Sequence, residues 1–292
     1  METKYRKRDM TIPAIIITIT LILMFAGLAI YNVYITGRDD STEREYDNIR
    51  SIVYVEGTNC TASEESATDE EQPDAYEEFL NSCNNRELYE EYLLHKSPNF
   101  DILKINNDDT IAYIEIPDTP VSYPVVQNAD NSFYLRHSIT KKDNLNGAIY
   151  IENYNKPDFS DPVTVVYGHH LVNKSMFGSL TDYMDDEYWN NHKYFFIYTP
   201  GHTYVYEVVL ASKYSAQHLL EDAFVKSPSG EYKFKGLNDD MTLKIFNRIK
   251  NYVSISESQV SNNVNYGDRL VVLSTCCDNS MRRYLVVGKR IL

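Results

Sequence analysis

Between Met10 and Gly37 the chain carries no charged residue, and Ala14 to Ile30 is almost continuously apolar. This run constrains the fold more than any other feature, because about 20 apolar residues rising about 1.5 Å each form a helix long enough to cross a hydrocarbon core. Ala26-Gly27-Leu28-Ala29 offers the small residues of a cleaved leader. A leader core, however, usually ends after about 7–15 apolar residues, and the run continues past that, so a retained anchor is the expectation. Lys4, Arg6, Lys7 and Arg8 precede the span, whereas Arg38 and Arg44 follow it among Asp39, Asp40, Glu43 and Glu45. The excess of basic residues before the span keeps the N-terminus in the cytoplasm and exports the rest of the chain. The expected organisation is a basic cytoplasmic tail at 1–10, a transmembrane anchor at 11–36, an acidic extracellular stalk at 37–75 and a folded domain at 76–292.

The stalk is inferred from composition. Glu64, Glu65, Asp69, Glu70, Glu71 and Asp74 fall within eleven residues with no basic partner, in a Ser/Thr/Ala background that buries too little apolar surface to offset ordering. Ser51–Val55 is a short apolar patch inside it that sequence alone does not assign. The whole chain of 292 residues has 28 Lys+Arg against 42 Asp+Glu, a formal charge of −14 that opposes broad binding to nucleic-acid phosphates. Four cysteines are too few for a disulfide scaffold. Cys60 and Cys83 can pair outside the cell, but their spacing does not require it.

Ala75–His95 contains neither Pro nor Gly and places Tyr76, Phe79, Leu80, Leu88, Tyr92 and Leu93 near helical spacing, which predicts one or two helices. A further short helix is expected over 99–105. The period then changes to that of strands at 111–116, 121–126, 147–151, 163–167, 194–198, 203–214, 270–274 and 285–291. These β-branched and aromatic runs are punctuated by Pro117, Pro120, Asn128, Pro157, Pro200-Gly201 and Gly267. One helical interruption is expected at 239–251, with Met241, Leu243, Ile245, Phe246 and Ile249 on its apolar face. Eight strands with few helices predict a mainly β fold, a closed or nearly closed barrel.

Chemistry-bearing residues concentrate at two strand ends. Val165-Val166-Tyr167-Gly168 runs into His169-His170, and Val271-Val272-Leu273-Ser274-Thr275 runs into Cys276-Cys277, with Arg282-Arg283 opening the last strand. Strand ends suit reacting groups, since rigid backbone holds them while the loop admits a substrate. If the last two strands form an antiparallel hairpin, Cys276 lies opposite Arg283, about 5 Å away at Cβ, and Arg282 pairs with Cys277 facing the other way. A thiol beside a fixed cation suits nucleophilic acyl transfer, with the guanidinium balancing the developing oxyanion and a histidine protonating the leaving amine. Taken singly, a cysteine is most often a small buried hydrophobe and a histidine a satisfied polar residue. Zinc ligation by His169, His170, His192, His202, Cys276 and Cys277 lacks the usual ligand spacings, and no metal is expected.

At these residues the chain resembles the sortase family. Leu273-Ser274-Thr275-Cys276 followed by Arg283-Tyr-Leu-Val-Val is similar to that family's T-L-x-T-C…R signature, with Val272 in place of the leading Thr. Tyr167-Gly168-His169, the segment Lys174–Leu180, Ile111–Gln127 and Asp130–Leu135 match further motifs in the family's order, so the resemblance spans roughly 99–292. The helices before the barrel and the insertion at 218–251 look like class B. The lid with an Asp-aromatic plug of pilin-polymerising relatives is not found convincingly.

The resemblance implies an eight-stranded sortase-type barrel with N-terminal helices, a helix inserted before the last two strands and a preceding transmembrane helix. It implies a membrane-tethered cysteine transpeptidase with its catalytic domain outside a Gram-positive cell. Such an enzyme cleaves surface proteins after Thr of an LPxTG- or NPxTN-like sorting motif and passes them to a peptidoglycan amine, without a cofactor. Cys276 is then the nucleophile, His169 the general acid/base and Arg283 the oxyanion or substrate stabiliser. Ser274, Thr275, Asn131, Leu135 and Tyr167 match positions near the peptide groove. Cys277 departs from the family, where an acidic residue often follows the nucleophile, and the Cys–Arg connection is short. The alternatives are a pilin-polymerising sortase and a non-catalytic membrane-anchored binding module.

Overall fold

The structure is a computed structural model that describes residues 11–54, 72–252, 258–261, 263–277 and 282–292. It divides into two units, residues 1–44 and 45–292. The described part of the first unit, residues 11–44, is one stretch of α1 (Thr11–Val53), a helix long and apolar enough to cross a membrane. From Ile16 to Tyr34 its Ile, Leu, Phe and Tyr side chains are exposed all round. A helix apolar on every side and unpacked is stable in lipid, not in water.

The end of α1 behaves differently. Within the second unit Tyr46, Ile49 and Val53 are buried, and the Tyr46 ring meets Tyr123 edge-on at 5.0 Å. Arg50 Nε donates to the Ser122 carbonyl (3.1 Å), and Glu45 accepts from the Ser138 hydroxyl (2.8 Å). Part of the segment expected as solvated stalk is therefore helix packed on the domain. Tyr46, Ile49 and Val53, spaced by three and four residues, form the apolar stripe that the neighbouring charges obscure in a composition argument. The acidic run at 64–71 lies outside the described residues.

The helices expected before the barrel are α2 (Gln72–Ser82), α3 (Arg86–Glu90), which runs on through one wide turn to His95, and α4 (Phe100–Asn106). The Asn99 side chain caps α4 by accepting from the backbone N–H groups of Asp101 and Ile102. The strands are β1 (Thr110–Glu115), β2 (Ser122–Val126), β3 (Ile149–Ile151), β4 (Val163–Gly168), β5 (Tyr194–Thr199) and β6 (His202–Ser215). After a hairpin of β7 (Phe224–Lys226) and β8 (Tyr232–Phe234) come α6 (Asp240–Tyr252) and β9 (Ser258–Val260), then β10 (Leu270–Cys277) and β11 (Arg282–Arg290). A short helix, α5 (Asp186–Asn191), precedes β5.

Eight strands hydrogen-bond in the order β11-β10-β4-β3-β2-β1-β5-β6, and β6 pairs back onto β11, closing the barrel. The expected mainly β, eight-stranded barrel is present, with α6 inserted before its last two strands. The strands β7, β8 and β9, three residues each, and α5 were not expected; runs that short carry too few periods to register in sequence. β9 adds to β6 as an extra strand.

Alternation along β4, β10 and β11 separates two cores. Val166, Val271, Leu273 and Val286 join the larger cluster with Tyr113, Tyr123, Ile149 and Phe195. Their neighbours Val163, Val165, Leu270, Val272, Leu285 and Val287 pack with Ile245, Phe246 and Ile249 of α6. With both faces covered, these strands read as continuous apolar runs in sequence.

Candidate active site

β4 and β10 are parallel neighbours whose rungs run from Val163↔Leu270 to Gly168↔Thr275. His169 and Cys276 are each the next residue beyond the last rung, on strands that lie about 4.8 Å apart. β11 returns antiparallel to β10 with Cys276 opposite Arg283 and Cys277 opposite Arg282, the register the sequence predicts. The three residues expected to carry chemistry thus occupy the same end of three adjacent strands.

Local sequence fixes this end. A Cβ on Gly168 would stand 2.5 Å from Ile149 Cδ1 and 2.6 Å from Phe177 Cδ2, so only glycine fits where β4 hands over to His169. Phe177, fully buried, donates its backbone N–H to the His169 carbonyl (3.0 Å), and Met176 N–H donates to the Tyr123 hydroxyl (2.8 Å). The 174–180 segment therefore clamps the histidine backbone. His169 Nε2 lies 2.9 Å from the Leu135 carbonyl oxygen, which can only accept, so this nitrogen carries the proton. Gly147, at φ +59°, sits beneath that contact; a Cβ there would come within 2.5 Å of Tyr134 O and 3.1 Å of His169 Cδ2.

Arg283 is partly buried, with its guanidinium 6.0 Å from the centre of the Tyr167 ring, within cation–π range. Burial, reinforced by the neighbouring Glu152 charge, pushes the Tyr167 hydroxyl far above its ordinary pKa and keeps it a donor. It donates to Glu152 Oε2 at 2.9 Å. The Glu152 side chain has no exposed surface, and it also accepts from Asn131 Nδ2 (2.5 Å, at Oε1) and from His218 Nε2 (3.1 Å, at Oε2). Burial works to raise the Glu152 pKa, but the hydrogen bonds from His218, Asn131 and Tyr167 together hold it below the usual glutamate value. Glu152 and His218 escaped sequence reasoning, because a Glu one residue past a strand and a His in a loop 66 residues away carry no shared motif.

The residues expected near the groove divide by exposure. Leu135 is 39% exposed, whereas Ser274 and Thr275 are each 1% exposed, with hydroxyls that find no hydrogen-bond partner among the described residues. Asn131 is committed, its oxygen accepting from Asn153 N–H (2.9 Å) while its amide donates to Glu152. His192 stacks on Tyr188, and His202 opens β6. Among the described residues no three His, Cys, Asp or Glu side chains are grouped to hold a metal ion. A cleft of about 680 Å³ between Tyr76, Phe100, Tyr198 and Tyr204 contains none of the expected site residues. It adjoins the opposite end of β6, since Tyr206 pairs with Arg290 and Tyr214 with Arg283.

A sortase-domain family model matches residues 114–291, from the last two residues of β1 through β11. Sortase B of Listeria monocytogenes is 29% identical over 197 residues, covering 65% of this chain and 73% of that protein. Sortase B of Staphylococcus aureus is 27% identical over 201 residues, covering 68% and 76%. The crystal structure of Clostridium perfringens sortase B superposes with a TM-score of 0.55 at 28% identity, over 66% of this chain and 99% of that one. With a closed eight-stranded barrel, a strand-end cysteine in register with an arginine and a family model that spans both, the chain belongs to the sortase family of cysteine transpeptidases and is most like its class B members.

Proposed function

We propose that the chain is a membrane-anchored sortase that cleaves a C-terminal sorting motif of the LPxTG or NPxTN type after Thr and joins the new carboxyl end to a peptidoglycan amine. The observation that carries the reading is the register of β10 and β11, which sets Cys276 opposite Arg283 at the strand end that adjoins His169. In the first half-reaction the Cys276 sulfur attacks the Thr carbonyl carbon and the thiol proton goes to His169. Arg283 offsets the negative charge that develops on the carbonyl oxygen. Collapse of this intermediate breaks the C–N bond, and His169 returns the proton to the leaving amine. A thioester remains on Cys276. In the second half-reaction the acceptor amine attacks that thioester, gives its proton to His169, and displaces the thiolate. One amide is exchanged for another, so no energy input is needed. In this reading Leu135, Tyr167, Ser274, Thr275 and Asn131 contribute to the peptide groove. In this reading 11–36 anchors the enzyme with the N-terminus inside and the catalytic domain outside.

The test is to incubate the purified full-length enzyme in detergent with labelled LPxTG, NPxTN and SPxTG peptides, alone and with hydroxylamine, triglycine or a pilin-type lysine peptide. Cleavage with hydroxamate formation, abolished in Cys276→Ala, supports the thioacyl route, and the preferred amine separates wall anchoring from pilin polymerisation. Neither cleavage nor hydroxamate with any peptide would leave a non-catalytic binding module.

A further inference from the structure

Glu152 and His218 have no part in the two half-reactions, yet the polar cluster they form with Tyr167 and Asn131 is built with more care than a solvated surface requires. Glu152 is a carboxylate with no exposed surface that accepts three side-chain hydrogen bonds, from Asn131, Tyr167 and His218. An unpaired buried charge is expensive, and a half-satisfied one nearly as much so. His218 is oriented as well. Its Nδ1 accepts the Leu220 backbone N–H at 3.2 Å, which leaves the proton on Nε2, the nitrogen facing Glu152. Tyr167 spans the gap between this cluster and the strand-end chemistry: its hydroxyl is tied to Glu152, and its ring lies under the Arg283 guanidinium.

We propose that Glu152 is a positioning residue for Arg283: its buried carboxylate pins the Tyr167 hydroxyl, and the pinned ring holds the guanidinium where the oxyanion develops. The inference rests on the proposed role of Arg283. The carboxylate also places a fixed negative charge behind the ring, which opposes withdrawal of the cation into solvent. A glutamine cannot replace it. Tyr167 and His218 both donate to Oε2 and Asn131 donates to Oε1, so either orientation of an amide sets its NH₂ against a donor.

The test is a double-mutant cycle on the full-length enzyme in detergent, using the sorting peptide it cleaves fastest and hydroxylamine as acceptor. Glu152→Gln should lower kcat about tenfold with little change in KM, and should leave the rate of Cys276 alkylation by iodoacetamide within about twofold. The alkylation readout reports a folded enzyme with a reactive thiol, which a merely unfolded variant would not preserve. In the Arg283→Ala background the same Glu152→Gln change should cost less than about twofold, because its effect is exerted through the arginine. Equal losses in both backgrounds would overturn the positioning role while leaving the role of Arg283 intact. Near-normal turnover of Arg283→Ala alone would overturn the parent reading, and this one with it. Should Glu152→Gln fail to fold, Tyr167→Phe carries the same cycle. It deletes the pinning hydroxyl and keeps the ring volume, with the same non-additive result expected and additive losses again decisive against the inference.

Discussion

Two doublets, Cys276-Cys277 and Arg282-Arg283, are told apart by the alternation of a strand. Successive residues face opposite sides, and the observed register pairs Cys276 with Arg283 and Cys277 with Arg282. Arg283→Ala should lower kcat/KM on a sorting peptide about 10²–10³-fold, the usual loss for one oxyanion stabiliser. Arg283→Lys should remain impaired because it keeps the charge without the planar fork, whereas Arg282→Ala and Cys277→Ala should retain most activity. Comparable losses in Arg282→Ala and Arg283→Ala would refute the assignment. Glu152 yields a second expectation through pH. Its carboxyl is held below the glutamate value in the fold, so its contribution to stability is full above the unfolded value of about 4.3 and is lost as pH falls through the lower folded value. Denaturant midpoints of the wild type and Glu152→Gln should therefore be far apart at pH 7 and converge as the pH drops below about 4. A constant gap across that window would show that the carboxyl is not held down.

At the scale of elements, the end of α1 belongs to the barrel. Tyr46, Ile49 and Val53 are each at most 4% exposed, and burying one large apolar side chain is worth about 1.5–3 kcal/mol, an upper estimate. A soluble fragment spanning 76–292 discards all three and leaves their counterpart Tyr123 uncovered. It should melt about 10 °C below a 45–292 fragment, given about 2–4 °C per kcal/mol at this size, with circular dichroism as the measurement. Equal melting temperatures would show that this helical end contributes nothing. The same scale explains what was missed in the insertion. The expected helix at 239–251 is α6 (240–252), legible because Met241, Ile245 and Ile249 recur at helical spacing, while the three-residue β7, β8 and β9 gain their identity from the strands they pair with.

For the molecule as a whole, the proposed anchoring gives the apolar helix and the barrel opposite solvent requirements on one chain. If the proposed anchoring holds, full-length protein should sediment with membranes, and protease added outside intact protoplasts should release the catalytic domain. A soluble secreted form beginning near residue 30 would instead mean a cleaved leader. The apolar N-terminal run, the positions of the eight barrel strands along the chain, the α6 stripe and the strand ends carrying His169, Cys276 and Arg283 were all legible in the sequence itself. Each is a periodicity or spacing that acts within about ten residues, where chain geometry alone dictates which side chains share a face. Closure of β6 onto β11, the docking of Tyr46 on Tyr123 and the meeting of Glu152 with His218 were decided only by the tertiary structure. Those contacts join residues 66 or more apart, and what selects them is the need to cover a sheet edge, an aromatic face or a buried charge, which no local pattern records.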